Sequence, residues 1–450
     1  MLAFLLVLFA QAAPQKGLTL RDLQERARKN DPRAMQALAQ VENAQGKHDE
    51  ASWAFFPNFQ TTAYIGGPTQ EHRLLGGDRD SNPTDPTHLT PGSVGGWFHG
   101  TQGVQLHLDV QATLPVWTFG KITAGKAALG HLTKATEALL QRARDQAAYD
   151  VARAYWGYQT SRNAEAAVQK VRNRLKDAQE TARKLLAQKS EQISRADAMK
   201  LDYLAEEIEA AHASTLKNRA LAITGLRLLV GAQPGEELPI AQQEVPAAPT
   251  PPDADQILQR ALEQRPETRA ATEAVGARQA QVDLARAQLW PDFGLVGGVN
   301  FTTTTNTDSP VSPFVSNSEA SSGYIALGLR GTFDVPQKLA RVRQAVADLH
   351  EAAAMQLGAQ QLVRLDVQQA IGDLTEARVR VERYTRETEI GKQLATQAGV
   401  AFDTGLGEAR EFLEDTLLYT RADGERMRAL YDAQLAWAAL EKAAGGPLSP

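Results

Sequence analysis

The stretch "VQLHLDVQATLPVWTFGKITAGKA", residues 104–127, admits two readings, and the choice between them decides the fold. In its second half Gly120, Gly125 and Lys126 have the spacing of a phosphate-cradling loop, in which backbone amides hold phosphates and the lysine reaches the terminal one. That loop needs a serine or threonine hydroxyl for magnesium after the lysine, and Ala127 stands there. It also follows a buried parallel strand, which reads as a continuous apolar run. Residues 104–114 alternate instead. Val104, Leu106, Leu108, Val110, Ala112 and Leu114 interleave with Gln105, His107, Asp109, Gln111 and Thr113, so this is a strand with one apolar and one polar face. Gly120 and Gly125 then read as a flexible strand-to-helix junction, with Lys121 and Lys126 as solvated helix charges. The matching segment further on, "VPQKLARVRQ" (335–344), lacks those glycines.

Composition narrows the class. The chain has 450 residues, 43% of them hydrophobic, which excludes wholesale disorder. Its 48 basic and 53 acidic residues give a net charge of −5, with no basic excess to hold nucleic acid. Cysteine is absent, which removes disulfides, thiolate metal sites and cysteine nucleophiles. The only long apolar run, "MLAFLLVLFAQAA" (1–13), is too short to span a bilayer as a helix. Ala10-Gln11-Ala12 has the small-x-small form of a signal cleavage site, although no Lys or Arg precedes Lys16. We read residues 1–13 as a signal peptide. A chain with no transmembrane helix can cross a membrane only as a barrel.

An internal repeat organises the rest. At an offset of 234, "DLQERARKNDPRAMQALAQVENAQGKHDEASWAFFPNF" (22–59) lies over "QILQRALEQRPETRAATEAVGARQAQVDLARAQLWPDF" (256–293), with ten of the identities running from Arg26 and Arg260 to Phe59 and Phe293. The first copy spans 14–241 and the second 256–446. The Pro-rich "QQEVPAAPTPPDAD" (242–255) reads as a linker with no capacity to pack a core. Each copy predicts two short helices ending at Pro57 or Pro291, and then two strands. These strands fall at about 58–66 and 104–115 in the first copy, and about 292–301 and 324–335 in the second.

Polar loops at 66–96 and 302–322 join the strands of each pair. Strands of about ten residues with this alternation and long loops at one end match an outer-membrane barrel. Trp53, Phe55, Phe56, Trp117, Phe119 and Trp290 gather at the opposite strand ends, where an interfacial aromatic girdle belongs. Four strands cannot close, and lipid tolerates no open edge, so copies of the chain must supply the remainder. Three copies of four make twelve strands and leave a lumen.

A long proline-free stretch follows each strand pair, with alanine and leucine at three- and four-residue steps. We expect helical hairpins over 120–231 and 337–444, turning at "QKSEQISRAD" (188–197) and "FDTGLGEARE" (402–411). The expected fold is mainly α with a membrane β-barrel.

On "FFPNF" and "LWPDF", "LPVWTFGK", "ISRAD", "GLGEAREFL", "LRLLVG" and "LEKAAG", in duplicated order over about residues 18–445, the chain resembles the TolC-like outer-membrane efflux and secretion channels. The resemblance implies a homotrimer with a 12-stranded barrel in the outer membrane and an α-helical tunnel in the periplasm. It implies a passive conduit for a tripartite efflux pump or a type I secretion system, with a membrane-fusion adaptor and an inner-membrane transporter as partners. It implies no cofactor, no metal and no catalysis; the eight histidines show no zinc-protease spacing, and His107 with Asp109 reads as a polar pair on one strand face. It places the periplasmic entrance at Glu411 and Glu414, with Asp197 in the first copy. The adaptor would meet tips at Ser190, Glu191, Gln192, Ile193, Thr404, Gly405, Leu406 and Gly407. Barrel and tunnel would join at Pro57, Pro115, Gly120, Gly125, Pro291 and Pro336. The competing reading is a soluble periplasmic helical scaffold without a membrane barrel.

Overall fold

The computed structural model describes residues 17–69, 103–188, 193–233, 235–304, 320–404 and 407–448. The expected signal peptide and nearly all of the two interstrand loops lie outside these residues. The first copy runs α1 (Leu20–Asn30), α2 (Pro32–Ser52), a 3-10 turn at Trp53–Phe55, β1 (Asn58–Thr69), β2 (Gly103–Trp117), α3 (Lys121–Ala187) and α4 (Arg195–Leu229). The second runs α5 (Ala254–Gln264), α6 (Pro266–Ala287), β3 (Asp292–Thr304), β4 (Ala320–Arg330), α7 (Val335–Asp403) and α8 (Ala409–Ala443).

The repeat survives to the residue, in two registers. The offset of 234 carries α1 onto α5 and the first residue of β1 onto that of β3, whereas α4 superposes on α8 at an offset of 214. The loss of 20 falls mainly between the paired strands, where 33 residues (70–102) face 15 (305–319). Local signals account for the helix boundaries. Thr19 and Asp22 form a capping box that starts α1. Pro32 and Pro266 open α2 and α6, where a missing N–H costs nothing. After α4 and α8 the chain turns at Gly231 (φ +63) and Gly445 (φ +82), equivalent positions in left-handed backbone. A Cβ on Gly231 would lie 2.9 Å from Asn30 Cβ at the end of α1, and one on Gly445 would lie 3.1 Å from the Arg265 nitrogen just after α5.

The chain divides into two compact units that cut across the repeats. One comprises Met1–Gln45, His131–Val275 and Glu351–Pro450, the other Gly46–Gly130 and Gly276–His350. Among its described residues the first contains helices and irregular segments, with one parallel bridge in which Leu18 pairs with Ile240. Its core has matching halves. Leu23 and Ala27 of α1 pack with Val151, Tyr155 and Trp156 of α3 and Leu226 of α4. Ile257 and Ala261 of α5 pack with Val367 and Leu374 of α7 and Trp437 and Leu440 of α8. These are the apolar stripes that three- and four-residue spacing predicts.

The linker does pack. Val245 and Ala248 are buried in the two halves of this core. Gln159 Nε2 donates to the Ala241 carbonyl at 2.6 Å, and Gln434 Nε2 donates to that of Pro246 at 2.9 Å. Prolines remove donors but leave carbonyls to satisfy, and two glutamines buried in the helices meet them.

The second unit contains a four-stranded antiparallel sheet in the order β1-β2-β3-β4. An antiparallel sheet is incompatible with the parallel strand that a nucleotide loop follows. One strand departs from expectation: β4 ends at Arg330, not near Val335. Asp334 stops it, because its carboxylate accepts from Thr332 Oγ1 (2.6 Å) and its carbonyl accepts from the Lys338 N–H (3.0 Å), which starts α7.

Candidate functional site

The sheet has two chemically distinct faces, and its register assembles each. Across all four strands Phe59, Ala112, Gly297 and Ile325 are neighbours; Leu114, Leu295 and Leu327 form the next row. Most large side chains of this face are exposed, with Ile65 at 76%, Ile325 at 80% and Leu327 at 85%. Apolar area on this scale is costly in water at about 25 cal/mol per Å². The outer edges of β1 and β4 have no strand partner among the described residues. No described helix is long and apolar enough to cross a membrane.

The opposite face is polar. His107 Nδ1 lies 2.8 Å from Thr302 Oγ1, and its ring stacks on Tyr64 with centroids 4.7 Å apart. Gln111 Nε2 donates to the Tyr324 hydroxyl at 3.0 Å. The Tyr324 ring covers Gly298, where a Cβ would come within 2.9 Å of the ring.

At the foot of the sheet the aromatic residues cluster. Phe119 contacts Trp117, Trp290 and Phe293 at centroid distances of 6.0, 5.4 and 6.1 Å, while Trp53 and Phe56 pair edge to face at 6.1 Å. Trp53, Phe56, Trp117 and Trp290 remain exposed. Pro57 and Pro291 immediately precede β1 and β3, and Pro336 lies in the first turn of α7. Pro115 falls inside β2, at a register shift beyond the point where β1 stops pairing, so its missing N–H breaks no ladder. Phe119 (φ +50) and Gly120 (φ +90) together turn the chain into α3. Gly125 plays no part in the turn, since it lies inside α3 and a Cβ there would meet nothing. Nor is Lys121 a solvated charge: its Nζ binds Asp292 Oδ1 at 2.7 Å. The sequence could not pair residues 171 positions apart.

The helical turns meet through a shared core. Leu175 of α3, Ile193, Leu201 and Leu204 at the start of α4, Phe402 of α7, and Phe412 and Leu413 of α8 form one buried cluster. Phe402 and Phe412 stack at 5.3 Å. Arg174 lies over the Phe412 ring at 5.5 Å and binds Asp403 at 2.7 Å. Ile193 was expected at a partner-facing tip, but at 5% exposure it anchors the turn instead. Thr404 Oγ1 donates back to the Val400 carbonyl at 2.8 Å. A Cβ on Gly407 would lie 2.7 Å from Ala401 Cβ, which explains glycine there. Ser190, Glu191, Gln192, Gly405 and Leu406 lie outside the described residues.

The three carboxylates expected at the entrance differ. Asp197 closes a capping box: its Oδ2 accepts from the Ser194 N–H (3.2 Å) and hydroxyl (2.6 Å), while Ser194 Oγ accepts from the Asp197 N–H (3.1 Å). The Ser194 hydroxyl is the main reason its carboxyl lies below the ordinary range. Glu411 and Glu414 are exposed on one face of α8, opposite buried Phe412 and Leu413. Glu414 approaches Arg410 at 3.5 Å, both side chains about two-thirds exposed, which is worth little.

Residues 257–446 match the model of the outer membrane efflux protein family. The matched residues fall within the second repeat. A search of curated proteins returned no match. Among solved structures, the outer-membrane channel OprN is similar at a TM-score of 0.74 and 20% identity, over 95% of this chain and 90% of that one. VceC from Vibrio cholerae gives 0.73 and 19%, covering 95% and 96%. The Neisseria gonorrhoeae MtrE outer membrane channel in its open state gives 0.73 and 18%, covering 95% and 89%. Both repeats therefore share the fold of these solved outer-membrane channels, although the family model reaches only the second.

Proposed function

We propose that the chain is one protomer of a passive outer-membrane efflux channel. The observation that carries this reading is the exposed apolar face shared by four strands with open outer edges. Lipid supplies a solvent for that face, and copies of the chain supply partners for the edges. Three copies contribute twelve strands, enough to leave a lumen lined by the polar face. The helical hairpins then stand in the periplasm, with the turns near 188–197 and 402–411 meeting a membrane-fusion adaptor and an inner-membrane transporter. Glu411 and Glu414 border the entrance, where rings of carboxylates favour cations over anions. The family match on the second repeat supports efflux, with type I secretion as the other export route this architecture serves.

The test is to express the chain with its leader, extract outer membranes, and measure native mass and single-channel conductance in planar bilayers. A trimer with a resolvable current is expected. A soluble monomer without conductance would replace this reading with the helical scaffold.

A further inference from the structure

Near the foot of the sheet the polar face contains a cavity of about 740 Å³. Its floor is bare because Pro115, Gly294 and Gly328 form one register row and the two glycines present no side chain. Below lies a charged row. Asp292 and Arg330 are direct cross-strand partners, and Lys121 reaches Asp292 from the first turn of α3. One carboxylate thus sits among two cations, and Arg330 has no ion-pair partner among the described residues, so the row carries a net positive charge. Above the floor come Thr113 and Val296, then Gln60 and Gln111. From the charged row to Thr113 and Val296 is four residues along the strand, about 13 Å.

We propose that this cavity binds an amphipathic organic anion, with a carboxylate or sulfonate head on Arg330 and Lys121 and a compact body lying over Gly294 and Gly328. The chemistry follows from the lining. A guanidinium without a partner offers a planar fork to two oxygens, and an ammonium spending one donor on Asp292 retains two more. The glycine floor admits a flat apolar body. Gln60 and Gln111 supply amides at its far end. Asp109, four residues beyond Thr113 on the same face, is about 13 Å further along the strand, outside the screening length at physiological salt. The site deepens the channel reading by naming a cargo class, and rests on it only in placing the polar face along the conduit.

The test is calorimetric titration of the purified full-length protein with naphthalene-1-sulfonate, using neutral 1-naphthalenemethanol as the comparison. The intact protein should bind the sulfonate, with R330Q about tenfold weaker and R330K recovering only part of the affinity, because an ammonium keeps the charge but not the planar fork. G328V places a branched side chain on the floor and should abolish binding while Arg330 remains. The neutral probe should not distinguish the intact protein from R330Q. Equal sulfonate affinity in the intact protein and R330Q, or none in the intact protein, overturns the site. Conductance without the probe is read on the same preparations. A protein that conducts but does not bind overturns the site alone, and one that binds without conducting supports the site and overturns the channel reading.

Discussion

The first turns of α4 and α8 are equivalent at an offset of 214, yet they are built on different chemistry. Helix α4 begins with Ser194 and Asp197 bonded to each other, so its carboxylate is spent on capping. Helix α8 begins at Glu408, which makes no side-chain cap bond, and leaves Glu411 and Glu414 exposed. Both turns bury apolar side chains in one cluster. Duplication therefore preserved the packing, while capping went to one copy and exposed charge to the other. A carboxylate that satisfies backbone donors stabilises a helix but offers little to a passing ion.

Removing the shared core should have the largest effect. Phe412→Ala deletes a side chain 1% exposed and stacked on Phe402, and should cost about 3–5 kcal/mol, read as a shift in the denaturation midpoint of the helical circular dichroism signal. A loss confined to one turn would show that the cluster does not couple them. Next comes the cap. Ser194→Ala should cost about 1 kcal/mol, whereas Glu408→Ser should gain up to about the same amount by supplying what α8 lacks. Equal costs for alanine at 194 and 408 would erase the difference. On the bilayer, Glu411→Gln with Glu414→Gln should reduce cation preference without moving the denaturation midpoint. Asp197→Asn should do the reverse.

The smallest effect concerns pH. The Arg26 guanidinium holds Glu236, its ion-pair partner at 2.7 Å, down to about 2 from 4.5. The stability this lends is present above pH 4.5 and is lost as pH falls toward 2. Glu236→Gln should flatten stability in that window and leave its pH dependence above 5 unchanged, as melts at pH 6 and pH 3 would report.

How much of this was legible depended on whether the signal was periodic or pairwise. Alternation from Val104 to Leu114, and the repeat from Arg26 to Phe59, fixed the sheet faces and element order because a face is a property of consecutive residues. Lys121 looked solvated because its partner Asp292 is in the other repeat. Ile193 looked like a tip because nothing local marks it as part of a buried cluster shared with α3, α7 and α8. The linker looked unable to pack because the carbonyls of Ala241 and Pro246, just before it and within it, are met by glutamines on helices far away in sequence. At the foot of β2, Gly125 was credited with a turn that Phe119 and Gly120 make. Asp197 looked like an entrance carboxylate, because an acidic residue in the first turn of a helix has the same local sequence whether it faces a lumen or, as here, closes a capping box with the serine three residues before it.

The central claim is that the apolar face meets lipid and the polar face meets water. Because the chain has no cysteine, single cysteines can carry an environment-sensitive fluorophore without background. Labels at Leu327 and Ala326, adjacent on β4 and on opposite faces, would be compared in proteoliposomes for quenching by brominated lipid and by iodide. The account predicts lipid quenching at Leu327 and iodide quenching at Ala326. Iodide quenching at both positions, with no lipid quenching at Leu327, would contradict it.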